Sequence, residues 1–302
     1  MSIHGPADGW VVAPDGQKYW GKNGAAGLVV VDADERVLLQ HRVGWSHHGG
    51  TWGVPGGARQ FDESAVEGAL RESAEEAAVP RDALRLLFTS AVDLGFWSYT
   101  TVVARATRSF DPVISDGESE DLAWVPLADV ESLPLHPGFA ASWPRLAETL
   151  RHPLHLVVDG ANVVGSRPDG WWRDRAGAAG RLLGALEVLA ANGVPASALV
   201  AVEPALAGAV DAWFPDVTLV VEGEAKSVGD PRPGSLVELL RAPTDGDSAV
   251  VAAVQGLLAP ESGPAAAAPR VVVVTADREL AARVAALGAS VVGPGILLAL
   301  LP

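Results

Sequence analysis

Residues 57–79 read GARQFDESAVEGALRESAEEAAV, and the spacing of the acids in this stretch decides the first fold. Ser64-x-x-Glu67 has the form of a capping box, in which each side chain satisfies a free backbone N–H, so a helix is expected to start near Ser64. Val66, Ala69, Leu70, Ser73 and Ala77 recur at helical spacing and give that helix one buried face. Glu72, Glu75 and Glu76 then share another face, because residues three and four apart are neighbours. Three carboxylates in one place repel. A hard divalent cation, Mg2+ or Mn2+, relieves that repulsion, because it takes oxygen ligands and keeps contact with phosphates. Arg71 stands one turn before Glu75 and is placed to hold it. Pro55-Gly56-Gly57 allows a sharp turn that brings a backbone carbonyl close to the cation. The competing reading is a solvated acidic helix face.

The stretch resembles the Nudix box, G-x5-E-x7-R-E-U-x-E-E-x-G-U with U a bulky aliphatic. Gly57, Glu63, Arg71, Glu72, Glu75, Glu76 and Val79 match it. Ser73 stands where the pattern has an aliphatic and Ala78 where it has glycine, and both are structural positions. The resemblance implies an α/β/α sandwich with a mixed sheet over residues 1–150. It implies a Mg2+-dependent (or Mn2+-dependent) hydrolase cleaving the diphosphate of a small nucleotide: an NTP, an oxidised nucleotide or an ADP-ribose-like compound. The metal set it implies is Glu72, Glu75, Glu76 and the Gly56 carbonyl, with Arg71 orienting a carboxylate. In that family the general base is a box glutamate or an acid from a later loop. The catalytic candidates are therefore Arg71, Glu75 and Glu76, together with Glu118 and Glu120 from the acidic loop SDGESED at residues 115–121. Arg42, Trp52, Gly56 and Gly57 are the candidate substrate contacts.

The 302 residues have room for two domains. Hydrophobic residues make up 49%, which excludes a disordered chain, and the absence of cysteine excludes disulfide and thiolate chemistry. The net charge is −15, divided as −10 over residues 1–150 and −5 over 151–302, so neither half holds long nucleic acid by charge alone. No signal-peptide pattern opens the sequence, and no apolar run approaches the roughly 20 residues of a membrane helix, so a cytoplasmic protein is expected.

Strands are expected at residues 24–31, 37–42, 86–94, 97–106 and 122–126, and a helix at 140–150. The glycine-containing loop at 43–52 carries Trp45, His47, His48 and Trp52. It is suited either to holding a base or phosphate or to packing its tryptophans beneath it. His47 and His48 are adjacent, lack metal-ligand spacing, and are not assigned to zinc. Beyond a boundary at Arg151-His152-Pro153, strands (154–158, 199–202, 217–221, 271–275, 290–292) alternate with helices (175–192, 249–258, 278–287). A Pro/Ala-rich loop fills 260–269 and a short apolar end 296–301. Repeated β-α-β units imply a parallel sheet covered on both faces.

Ligands of such sheets sit beyond the carboxyl ends of the strands, where Asp159 and Asp277 fall, with Asp245 and Asp247 at a helix start. Each alone is as well explained as a helix cap or turn former. VVDGANVVG, GDSAVVAAV and VVVVTADRELAARVAALGA resemble the NYN branch of PIN-like nuclease domains. That resemblance places Asp159, Asn162, Asp247 and Asp277 in an acidic pocket near Thr275, with Ser248 where relatives often carry a second acid. Trp171 and Trp172 beside Arg167, Arg173, Arg175 and Arg181 form a mixture suited to single-stranded RNA, or else a capped surface helix. The alternative function is thus a metal-dependent ribonuclease over residues 151–302, with the first domain sensing nucleotides. A third is a pair of nucleotide-binding domains without catalysis.

Overall fold

The computed structural model describes residues 5–199, 210–259 and 268–302. The chain divides into two compact units, residues up to 148 in the first and nearly all from 149 onward in the second.

In the first unit, β1 (Trp10–Val12) and β2 (Lys18–Trp20) pair as a small antiparallel ribbon. The main sheet is built on β3 (Ala25–Val31), whose seven residues are all buried. It pairs parallel with β8 (Ser98–Ala106) and antiparallel with β4 (Arg36–Arg42) and β6 (Gly56–Ala58), which makes the sheet mixed. β7 (Leu84–Asp93) continues it beyond β8, while β5 (Trp52–Gly53) and β9 (Ser119–Pro126) pair with β4. Helix α1 (Ala65–Ala77) lies on one face, its Ala69, Leu70 and Ala77 packing with Leu28, Val30 and Val102. Helix α2 (Pro137–Arg151) follows, with Trp143 and Leu146 fully buried.

The capping box at Ser64 and Glu67 is present in both directions. Ser73 is buried, and its Oγ donates to the Leu70 carbonyl at 3.1 Å, so the hydroxyl meets its need inside its own helix. Ala78 ends α1 in the left-handed conformation, φ 52° and ψ 32°.

The second unit contains a five-stranded parallel sheet ordered β14-β13-β10-β15-β16 once its strands are numbered along the chain. These are β10 (Leu154–Asp159), β13 (Asp216–Val221), β14 (Val237–Arg241), β15 (Arg270–Val274) and β16 (Ser290–Val292). The short strands β11 (Val194–Pro195) and β12 (Ala212–Trp213) pair antiparallel with each other. Its helices are α3 (Gly160–Gly165), α4 (Arg175–Asn192), α5 (Gly246–Leu258), α6 (Arg278–Ala285) and α7 (Pro294–Leu300). Val157 and Val273 pack with α5 and α6, while their neighbours Leu156 and Val274 meet Leu189 of α4 and Leu297 of α7. Alternate strand residues face opposite sides, so helices cover both faces.

The apolar end at 296–301 is helical as far as Leu300, in a helix started by Pro294 at its first turn. In the expected strand at 199–202, Leu199 lies in a turn, and residues 200–202 fall outside the described residues. Among the described residues no helix is long and apolar enough to cross a membrane.

The cap at Ala78 gives a stability prediction. A left-handed non-glycine residue costs about 1 kcal/mol, and glycine relieves the side-chain clash at some cost in unfolded-chain entropy. Ala78→Gly is therefore expected to raise the unfolding free energy by up to about 1 kcal/mol, read from urea denaturation at unchanged slope.

Candidate active site

Arg71, on α1, is the hub of the site. Its Nε donates to Glu63 Oε1 at 2.6 Å, and Nη2 donates to Glu63 Oε2 and the Ala58 carbonyl, each at 3.0 Å. Nη1 donates to Glu72 Oε1 at 2.8 Å and Glu75 Oε2 at 3.3 Å. The expected contact to Glu75 is therefore the longest of the five, and the strong fork goes to Glu63. That fork, with the Gln60 N–H at 3.0 Å, holds the Glu63 carboxyl below the usual carboxylate range.

The two glycines of β6 let backbone and carboxylates share one space. A Cβ on Gly57 would lie 2.7 Å from the Glu72 carboxylate carbon, and one on Gly56 2.5 Å from the Ala26 carbonyl oxygen. The Gly56 N–H donates to Glu76 Oε2 at 2.9 Å. Burial pushes the Glu72 carboxyl up to about 7 against the pull of Arg71. Burial raises Glu76 well above the ordinary range as well, and the nearby Glu72 charge adds to this. Glu75 remains open to solvent, with its side chain 62% exposed.

The later acidic loop meets Glu76 through Asp116 and Glu118. Carboxylate oxygens of these three residues all lie within 4.8 Å of one another. The loop is fixed by Asp116 Oδ1, which accepts the Glu118 N–H at 3.2 Å and the Ser119 hydroxyl at 3.0 Å. Ser119 in turn accepts the amide of the buried Gln40 at 2.7 Å. Asp116 was not among the sequence candidates, because only three-dimensional closure brings it to Glu76. Glu120, which was, turns away: its carboxylate pairs with His41 Nδ1 at 3.1 Å. The reason is a bulge. Ser119 stands opposite Arg42 and Asp121 opposite His41, which leaves Glu120 as the extra residue.

Of the substrate candidates, Trp52 tilts against the His41 ring at 4.8 Å, the packed alternative for that loop, while Trp45 is exposed. The Arg42 Nε donates to the His47 carbonyl at 3.3 Å.

In the second unit Asp159 caps α3 through the Asn162 N–H at 3.1 Å and accepts the Thr275 hydroxyl at 2.9 Å. The Asn162 side chain accepts the Ala276 N–H at 2.9 Å. Asp277 caps α6, and Asp245 caps α5 through the Ser248 N–H. The capping role foreseen for these aspartates is what their hydrogen bonds show. Asp247 carries no cap. Burial and then the charge of Asp277 raise its carboxyl, and burial raises Asp159, with Asp247 and Glu222 adding to it. The Arg175 guanidinium covers the Trp171 ring at 5.6 Å, so that ring is already stacked within the chain, while Trp172 is exposed.

A model of the NUDIX domain matches residues 21–146. The chain is 49% identical over 154 residues to a protein of Mycobacterium tuberculosis named putative 8-oxo-dGTP diphosphatase 3, which covers 48% of this chain and 70% of that one. It is 41% identical over 157 residues to a nucleoside triphosphate pyrophosphatase/Nudix hydrolase fusion protein of Bifidobacterium longum, covering 49% of this chain and 33% of the relative. The chain belongs to the Nudix family. A Nudix hydrolase of M. smegmatis, RenU, has 44% identity and a TM-score of 0.43, over 47% of this chain and 94% of its own.

As a Nudix protein the chain is a hydrolase acting on phosphorus anhydrides of nucleotides. Its two departures from the box keep the geometry: Ser73 is satisfied within α1, and Ala78 adopts the backbone that glycine would have taken. The donor set suits a hard divalent cation. It is all oxygen and partly buried, and burial raises the carboxyls of Glu72 and Glu76.

This gives the pH prediction. A carboxyl raised to about 7 must lose its proton to bind a cation, so proton and cation compete. Divalent-cation affinity is expected to strengthen by roughly tenfold per pH unit up to about 7, and deprotonation of Glu76, raised as well, carries the rise further. Titration calorimetry at pH 6, 7 and 8 reads the change.

Proposed function

We propose that the first unit is a Mg2+- or Mn2+-dependent pyrophosphohydrolase of nucleoside triphosphates, with oxidised purine nucleotides such as 8-oxo-dGTP as the preferred class. The observation that carries the reaction is the convergence of Glu76 with Asp116 and Glu118, beside a Glu72 that Arg71 and Gly57 hold in place. The substrate class rests on the relatives named as 8-oxo-dGTP diphosphatases.

In this reading Glu72, Glu75 and Glu76 hold the cation, with the Gly56 carbonyl beside them. When bound, the cation neutralises the diphosphate and acidifies a water. Arg71 fixes Glu72 against Gly57 and so sets which oxygen faces the substrate. Glu118 is the general base, since it alone of the two acids foreseen in the later loop lies in the Glu76 group. Asp116 positions it through the Glu118 N–H.

Glu76→Gln is expected to lower kcat at least a hundredfold while leaving the fold intact. Glu118→Gln should lower it by about two orders of magnitude with KM little changed. A panel of nucleotides assayed by pyrophosphate release should rank 8-oxo-dGTP above dGTP and ADP-ribose. Retained turnover in Glu76→Gln removes the box from the mechanism, and a higher rate on ADP-ribose reassigns the substrate.

The second unit is read as a PIN-like domain of the NYN type. The charges of Asp247 and Glu222 that raise Asp159, and those of Asp277 and Glu222 that raise Asp247, beyond the parallel strands, support an acidic pocket with nuclease chemistry. Single-stranded RNA with Mn2+ is expected to be cut by the full chain and spared by the Asp159→Asn/Asp277→Asn variant. Equal products from both would trace the cleavage to a contaminant.

A further inference from the structure

His47, His48 and His136 come from two distant parts of the first unit, and each offers a ring nitrogen within 4.8 Å of the others. The rings of His47 and His48 stand 4.1 Å apart edge to face, and those of His48 and His136 4.7 Å apart. The meeting is built. The Trp52 N–H donates to the Pro134 carbonyl at 2.8 Å, and the His136 N–H donates to the Trp52 carbonyl at 2.7 Å, which seats the turn before α2 against the loop at 43–52. On that loop His48 occupies left-handed backbone, φ 56°, a conformation uncommon for a residue with a side chain. The Thr51 hydroxyl, donating to the His48 carbonyl at 2.6 Å, pins it there.

We propose that these three imidazoles form a site for a borderline divalent ion of the Zn2+ type, separate from the oxygen-lined Nudix site. Three nitrogen donors with no thiolate and no carboxylate select such an ion over Mg2+. Bound nitrogens sit about 2.0–2.1 Å from zinc, so the rings must draw together; His47 and His48 are both exposed, His47 resting edge-on against Trp10 at 5.4 Å. His136 Nδ1 accepts the Gly138 N–H at 3.2 Å. Whichever ring nitrogen binds, the cost is that one long hydrogen bond. Three protein ligands leave a fourth tetrahedral position for water or a phosphate oxygen. The ion clamps the loop at 43–52 to the start of α2.

The test uses the full chain with saturating Mg2+ to fill the oxygen site. Zn2+ is titrated by calorimetry, and Co2+ is followed by its visible spectrum. His47→Ala and His136→Asn are the variants, the asparagine retaining a cap for α2 while removing the imidazole. One Zn2+ per chain, at least about tenfold weaker in each variant and unchanged in Glu76→Gln, supports the site, as does a tetrahedral Co2+ spectrum lost in both variants. Binding equal in the variants and the unaltered chain overturns the site, as does failure of the unaltered chain to bind.

Discussion

The first unit depends on the fork between Arg71 and Glu63. One guanidinium ties the loop after β6 to α1 and still has a nitrogen left for Glu72. Bidentate guanidinium–carboxylate pairs fix direction as well as distance. Without that cation, Glu63, Glu72 and Glu75 would face one another with no positive charge among them. With it, one carboxyl is held low and another is held in place while remaining protonatable. The energetic asymmetry within the site follows. Glu63 is committed to structure, whereas Glu72 and Glu76 carry a burial cost that Arg71 and the Gly56 N–H only partly offset. A group whose charged form is disfavoured by burial gains most from a ligand that neutralises it.

The sequence made the local part of this site legible because it is written along one helix. Spacing alone put Glu72, Glu75 and Glu76 on one helix, although the carboxylates that meet Glu76 are those of Asp116 and Glu118, and the capping box located the start of α1. Closure was less legible. Asp116 reaches Glu76 only because β9 pairs with β4 and the loop folds back on the end of α1, where the Ser115 N–H donates to the Glu76 carbonyl at 3.1 Å. Glu118 and Glu120 look equivalent in the sequence, two apart on an extended segment. A bulge separates them and sends one to His41. No local pattern encodes that bulge.

In the second unit the alternation of strands and helices was readable because buried parallel strands are continuous apolar runs. β14 was missed for a converse reason. It lies at the sheet's edge, and its VELLR sequence is only partly buried, so it lacks that run. α3 was hidden inside the DGANVVG turn, where a six-residue helix leaves no periodicity to detect. The aspartates illustrate a limit of spacing arguments. Asp159 and Asp277 each satisfy backbone N–H groups, yet Asp159 is also raised by the charge of Asp247, and Asp277 raises Asp247, so a capping aspartate still feels or acts on its acidic neighbours.

Two sets of metal-capable side chains thus stand in one unit, and their chemistry sorts them. The oxygen set is anionic and backed by a committed arginine, and burial there makes each uncompensated charge expensive. The imidazole set is neutral when unprotonated, and burial, followed by the charges of His48, Arg42 and His47, lowers His136 to about 4. First-row ions bind most sites more tightly than Mg2+, so discrimination cannot come from affinity order alone. It comes from donor type. A neutral nitrogen trio offers a hard ion little in exchange for its hydration shell, while a cluster of carboxylates offers it charge. His47 and His48 gave no metal signal as neighbours in sequence, because adjacent positions cannot by themselves close a coordination shell. The third ring, eighty-eight residues beyond His48, is supplied by the hydrogen bonds that seat Trp52 against the turn before α2.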